Sequence, residues 1–180
     1  MHLPQFPRRV LDVGTGPGLL PLRLAEILPG ECRMYGTDID VEMIEVMKQL
    51  AISDSRIHFI IHGNEHISFR DNSFGCVVSV NALHHFKFPS AMFCEMVRVL
   101  EAGGKAVVYD FNPLSLKLRL ACTALRLYNV FVRDPAIRAL VESVAVSYSQ
   151  PQILGMVRQA GIRTFEVYRV GIFNALVMCK

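Results

Sequence analysis

Val10-Leu-Asp-Val-Gly-Thr-Gly-Pro-Gly18 is the stretch on which the fold turns. The apolar run Arg9 to Val13 reads as a β-strand, and it passes directly into glycines at positions 14, 16 and 18. Leu19 to Leu28 then carries apolar residues at helical spacing and stops at Pro29-Gly30, a normal helix exit. A glycine loop between a strand and a helix is the setting in which such glycines hold a ligand against main-chain N–H groups. In this reading Gly14 permits the tight turn, Gly16 lets the backbone approach the ligand, and Gly18 lets the following helix pack closely. The G-x-G-x-G spacing departs from the G-x-G-x-x-G of dinucleotide sites, which makes a nicotinamide oxidoreductase the weaker reading; a purely structural turn stays open.

Outward from the loop, β-branched runs alternate with helical periods. Cys32 to Thr37 is a second strand, with Asp38 at its carboxyl end, where an acidic side chain accepts hydrogen bonds from both hydroxyls of a ribose. Asp40 caps a helix from Val41 to Leu50, whose Met43, Ile44, Met47 and Leu50 share a face. Ile57 to His62 and the continuously apolar Cys76 to Val80 are the third and fourth strands. Ser90 is expected to cap a helix through Leu100 that Gly103-Gly104 ends, and Lys105 to Phe111 is a fifth strand. Ser149 and Gln152 form a capping box for a helix ending near Gly161, and Phe165 to Val170 with Asn174 to Cys179 make a hairpin around Gly171. This is the pattern of an α/β fold, a mostly parallel sheet with helices on both faces, over a single domain of residues 1–180.

Between Asn112 and Tyr148 the alternation gives way to two helices, with Asn112 and Asp134 as the expected caps, each before a proline. Ile137, Leu140, Val141 and Val144 stripe the second helix. In the first, Arg119, Arg126 and Arg133 recur every seventh residue opposite Leu118, Cys122, Leu125 and Val132, which reads as a solvated basic face over a core-facing stripe rather than as a membrane or acidic-partner surface.

The 180 residues are 52% hydrophobic and 19% charged, below the roughly 25% charge of an average globular protein, which leaves apolar surface for a partner or a greasy ligand. A net charge of +3 without any cluster of four basic residues gives no footprint for nucleic acid. Five scattered cysteines, an odd number without metal-ligand spacing, point to free thiols in a reducing compartment and away from a metal centre. No uncharged stretch approaches the ~20 apolar residues of a membrane span, and the N-terminus has no apolar run of a secretory signal. A cytoplasmic protein is expected.

Four blocks, VLDVGTGPG, YGTDID with VEMIEVMKQ, HGNEHISFRDNSFGCVVSVNALHHF and EMVRVLEAGGKAVVYDF, occur in one order and spacing. With them the sequence resembles the class I S-adenosylmethionine (SAM) dependent methyltransferase family, in particular its ubiquinone and menaquinone biosynthesis enzymes and related small-molecule methyltransferases. The resemblance is close from Arg9 to Lys105 and loose over the terminal hairpin. It implies a Rossmann-like seven-stranded sheet of order 3-2-1-4-5-7-6 with the last strand antiparallel, and SAM over the carboxyl ends of the first, second and fourth strands. Carried over residue by residue, it implies that Asp12, Gly14, Thr15, Gly16 and Gly18 surround the methionine part of SAM, that Asp38 holds the ribose with Ile39 beside it, that Asn64 and Glu65 meet the adenine, and that Asn81 lies where the main chain meets the SAM ammonium. The apolar face of the two-helix insertion of about 112–148 leads to the expectation of a small, partly apolar methyl acceptor as partner, with the insertion as its lid.

Three departures qualify this. The family's usual acidic residue is Asn64 here, which keeps an acceptor and loses the charge. Gly75 replaces an aspartate at the start of the fourth strand, at the edge opposite the cofactor. Only eight residues precede the first strand, where relatives carry N-terminal helices, so the domain is expected to be open on that side, to be covered by a second copy or a partner subunit. That departure and Asn64 sustain the alternative of a SAM-binding but catalytically idle or partner-dependent subunit. Methyl transfer asks mainly for alignment and exclusion of water. Where an acceptor must lose a proton, His84, His85, Tyr109 and Asp110 are the candidate bases, with a structural role at least as well supported for His84-His85.

Overall fold

Arg9–Val13 (β1) is a strand buried from Val10 onward, and it lies third from one edge of a seven-stranded sheet. The coordinates are a computed structural model that describes residues 6–50, 54–61 and 66–180. Parallel pairing places Arg33–Asp38 (β2) on one side of β1, with Asp12 opposite Gly36, and Phe74–Val80 (β4) on the other, with Asp12 opposite Val78. Ile57–Ile61 (β3) pairs with β2, and Leu100–Phe111 (β5) with β4. The hairpin strands Phe165–Val170 (β6) and Phe173–Cys179 (β7) close the far edge, β7 running antiparallel to β5. The order is β3-β2-β1-β4-β5-β7-β6, the arrangement that the resemblance implies. Strand order reverses between β1 and β4, and in such sheets the crevice at that reversal, above the carboxyl ends, is where ligands bind.

The helices cover both faces because each buries one stripe. Leu19–Ile27 (α1) buries Ala25, and Val41–Leu50 (α2) buries Met47. Pro89–Val99 (α3) buries Met92, Phe93, Met96 and Val99 against the main core, which also holds Leu11, Phe74, Val77, Leu83 and Val108. Gln150–Gln159 (α6) adds Ile153 and Val157 to the same core. The expected capping box is present: Gln152 Oε1 accepts from the Ser149 main-chain N–H at 2.9 Å. Gly171 takes φ +61° in the hairpin turn.

The two-helix insertion forms as Leu116–Val132 (α4) and Pro135–Val146 (α5). Leu118 and Cys122 from α4 meet Val141 and Val144 from α5 over Phe111 and Phe173, at the carboxyl end of β5. Asp134 caps α5 as expected, its Oδ1 accepting from Ala136 N–H at 2.8 Å.

Four sequence expectations are corrected. Ser90 does not cap α3; the cap position is Phe88, with Pro89 in the first turn, and Ser90 Oγ instead donates to Gln159 Oε1 of α6 at 3.1 Å. Gly103-Gly104 does not end that helix, which stops at Val99. The chain goes directly into β5 and slips register between Phe74 and Cys76, where Gly103 at φ +78° lets it step out of the ladder. Asn112 is not the cap of α4: its Oδ1 closes its own turn by accepting from Leu114 N–H, and Ser115 caps the helix by accepting from Leu118 N–H. Val132 is exposed and leaves the stripe it was assigned to. At Gly75, an added Cβ would meet Pro7 Cβ at 3.0 Å, so the segment before β1 occupies the space that a side chain there would need.

Candidate active site

The three loop glycines have three different reasons to be glycine. All take the left-handed backbone, φ +71°, +54° and +74° for Gly14, Gly16 and Gly18, where a Cβ is strained. A Cβ on Gly14 would lie 2.5 Å from Ala82 Cβ, which seats the β1 loop on the loop after β4. On Gly18 it would lie 2.7 Å from Met47 Cγ, so this glycine lets α1 pack against α2 and β3. A Cβ on Gly16 would meet nothing within 4 Å. Its open side faces a cavity of about 440 Å³ lined by Asp38, Ile39, Met43, Asn81, His85 and Phe86, a cradle that a ligand can fill against bare main chain.

Asp38, at the carboxyl end of β2, is tied to that loop. Its Oδ2 accepts from Gly16 N–H at 2.8 Å and its Oδ1 from Asp40 N–H at 3.1 Å. Each carboxylate oxygen has a second lone pair, so the side chain is fixed in place and still able to accept from a ribose. Asp40 in turn accepts from Glu42 N–H at 2.9 Å and opens α2, as its expected capping role requires.

Asp12 is fully buried, and burial pushes its carboxyl up to about 7; the Asp38 charge acts in the same direction and the Thr15 hydroxyl against it. Asn81, at the end of β4, holds a left-handed φ of +53° and donates its main-chain N–H to Tyr109 O at 2.7 Å. A non-glycine residue in that conformation at a cavity wall is a common mark of a functional position. Asn64 and Glu65, assigned to the adenine, lie outside the described residues.

Of the four candidate bases, the structure separates neighbours. His84 and Asp110 are both buried; His84 Nδ1 lies 3.0 Å from Asp110 Oδ2, and Asp110 also accepts from the main-chain N–H of His84 and Phe111. The His85 ring packs against that of His84 at a tilt of 46°, with centroids 4.1 Å apart, and lines the cavity. Burial, then the neighbouring His84, lower the His85 pKa, with Asp110 and Asp38 opposing, so the neutral imidazole is favoured. Tyr109 packs on Phe173 of β7. Met43, Ala82, Phe86 and Met92, which complete the apolar part of the wall, have no local motif that singles them out. A wider cleft of about 770 Å³, lined by Pro7, Gly75, Glu101 and Gly103, opens at the amino ends of the strands, the edge away from the strand-order crevice.

Comparison with known proteins agrees with this geometry. Residues 11–108 match the model of the methyltransferase domain family. The chain is 31% identical over 174 residues to the demethylmenaquinone methyltransferase of Deinococcus radiodurans, covering 90% of this chain and 70% of that protein. With the ubiquinone/menaquinone biosynthesis C-methyltransferase UbiE of Geotalea daltonii it shares 34% identity over 107 residues, which is 58% of this chain and about half, 46%, of that relative. A SAM-dependent methyltransferase structure from Aquifex aeolicus superposes with a TM-score of 0.72 at 18% identity, over 94% of this chain and 80% of that one. The chain belongs to the class I SAM-dependent methyltransferase family, which takes S-adenosylmethionine as cofactor.

Proposed function

We propose that SAM lies in the cavity between Gly16, Asp38 and Asn81, and that the acceptor is a small apolar molecule with a hydroxyl-bearing aromatic ring, of the kind that the quinone-biosynthesis relatives are named for. The observation that carries this reading is the cavity wall, where Met43, Ala82, Phe86 and Met92 line the same cavity as the His85 imidazole, with the carboxylates Asp38 and Asp40 also on its wall. An apolar ring gains from that surface, and a neutral imidazole takes a hydroxyl proton.

SAM supplies an electrophilic methyl group on a sulfonium. The chain does the rest by placement: Asp38 and the glycine loop hold the donor, the apolar wall excludes water, and His85 accepts the acceptor's hydroxyl proton as the ring carbon becomes nucleophilic, the ring C–H proton displaced on methylation then restoring the hydroxyl. The buried Asp110–His84 pair fixes the ring against which His85 packs. In this reading the α4–α5 insertion, rooted on Phe111, is the cover of the acceptor side, and the enzyme works in the cytoplasm, in keeping with its five unbonded thiols. Among the described residues no helix is long and apolar enough to cross a membrane.

The test is incubation of the chain with SAM and a panel of reduced naphthoquinones and benzoquinones lacking a ring methyl, beside amines and thiols, with S-adenosylhomocysteine and methylated product measured together. The proposal expects ring methylation of a quinol. Methylation of amines alone, or SAM binding without turnover on any acceptor, contradicts it.

A further inference from the structure

Helix α4 is amphipathic twice over. Leu118 and Cys122 face inward, and on the opposite side Leu116, Leu120, Leu127 and Phe131 recur at offsets of four, seven and four, all exposed, Phe131 to 86%. Those offsets place the four on one stripe, and exposed Leu114 in the preceding turn extends it. Along one flank run Arg119, Arg126 and Arg133, which at seven-residue spacing drift by only about 20° per step; Lys117 stands on the other flank. All four are exposed, the helix has no acidic residue, and none of the four has a carboxylate within ion-pair distance among the described residues. The sequence alone reads the arginines as a solvated face; the structure adds that the face between the cationic flanks is apolar.

We infer that α4 lies in the headgroup layer of an anionic bilayer, its apolar stripe dipped into the acyl boundary and its arginines on the lipid phosphates. A stripe of large apolar side chains between cationic flanks is the build of a helix that lies on a membrane rather than spanning it, and at 17 residues with one lysine and two arginines inside it this helix is no membrane span. A second copy is the poorer occupant: a two-fold contact through this stripe would bring two rows of arginine together. Because α4 hangs from the carboxyl end of β5, docking also turns the cavity's edge of the sheet toward the bilayer. That consequence serves the acceptor proposed above, but the docking itself is measured without SAM or acceptor.

The experiment is flotation of the whole chain with vesicles of phosphatidylcholine alone and of phosphatidylcholine with phosphatidylglycerol. Each cationic side chain near an anionic surface contributes about fivefold, so binding to the anionic vesicles should exceed that to the neutral ones by well over tenfold. The double variant Leu127→Glu with Phe131→Glu, and separately Arg119→Glu with Arg126→Glu, should each lose at least tenfold while keeping the wild-type thermal midpoint. Since the chain has no tryptophan, Phe131→Trp provides a single reporter whose emission should shift to the blue on adding anionic vesicles. Absence of wild-type flotation, flotation indifferent to the variants, or a dimer that Phe131→Glu dissociates without any vesicle binding, overturns the inference.

Discussion

The Gly16 main-chain N–H donates to Asp38 Oδ2 at 2.8 Å across 22 residues of sequence, so the glycine loop and the carboxyl end of β2 are one unit. The same carboxylate that can meet a ribose holds the loop in its open shape, and the loop in turn fixes the carboxylate. Changes in this pair therefore act on cofactor binding and on local order together.

Gly14→Ala and Gly16→Ala should behave differently although both sit at positive φ. At Gly16 the Cβ meets nothing, so the cost to stability is the conformational one alone, about 1 kcal/mol, while SAM affinity falls because the methyl group enters the cavity. At Gly14 the clash with Ala82 adds to the same strain, for a loss of about 2–4 kcal/mol. Chemical denaturation of the two variants beside wild type checks the order; equal losses would contradict the packing described for Gly14.

Asp12 imposes a pH dependence whose sign follows from its raised pKa. Between about 4, where the unfolded carboxyl ionises, and about 7, where the buried one does, the native state holds a proton that the unfolded state has lost. Stability from this group thus falls as pH rises across that window and stays low above it. Asp12→Asn removes the decline, and at pH 8 it should be the more stable protein by an amount on the order of 4 kcal/mol at most. Unfolding curves at pH 4.5 and 8 that decline equally in both proteins would refute the assignment.

His84 and His85 should respond in opposite ways. His84→Ala strips a buried carboxylate of its imidazole partner and leaves a void, with a stability loss of about 3 kcal/mol. His85→Ala should leave the thermal midpoint close to wild type and slow turnover by roughly 10²–10⁴-fold. The acidic limb of kcat/KM that His85 sets should lie below the ordinary imidazole range. A His85→Ala enzyme with undiminished kcat removes it from the reaction.

The glycine-loop pattern is local, and that is why the glycines and Asp38 could be read from sequence: each is identified by its distance along the chain from a strand end. The same locality failed at Ser90 and Asn112. Both have the chemistry of a cap, but Ser90 is claimed by Gln159, 69 residues away, and Asn112 by a turn two residues on. Met43, Phe86 and Met92 reach the cavity from α2, from the turn at 83–85 and from α3, and only the packing of those elements brings them together. His84 and His85 are adjacent in sequence and alike in chemistry. A single 3₁₀ turn buries the His84 side chain beside Asp110 and leaves that of His85 at the cavity wall, with the two rings still in contact.

The central claim, that SAM is held at the junction of the glycine loop and Asp38, is tested most directly by calorimetric titration of SAM into wild type and Asp38→Ala at one pH, with the fold of each followed by circular dichroism. Two charge-assisted hydrogen bonds to the ribose, each contributing about 1.5–3 kcal/mol, are lost together with the tether to Gly16. The account predicts that wild type binds SAM and that a folded Asp38→Ala protein binds it at least tenfold more weakly. Equal affinity in the two folded proteins would contradict it.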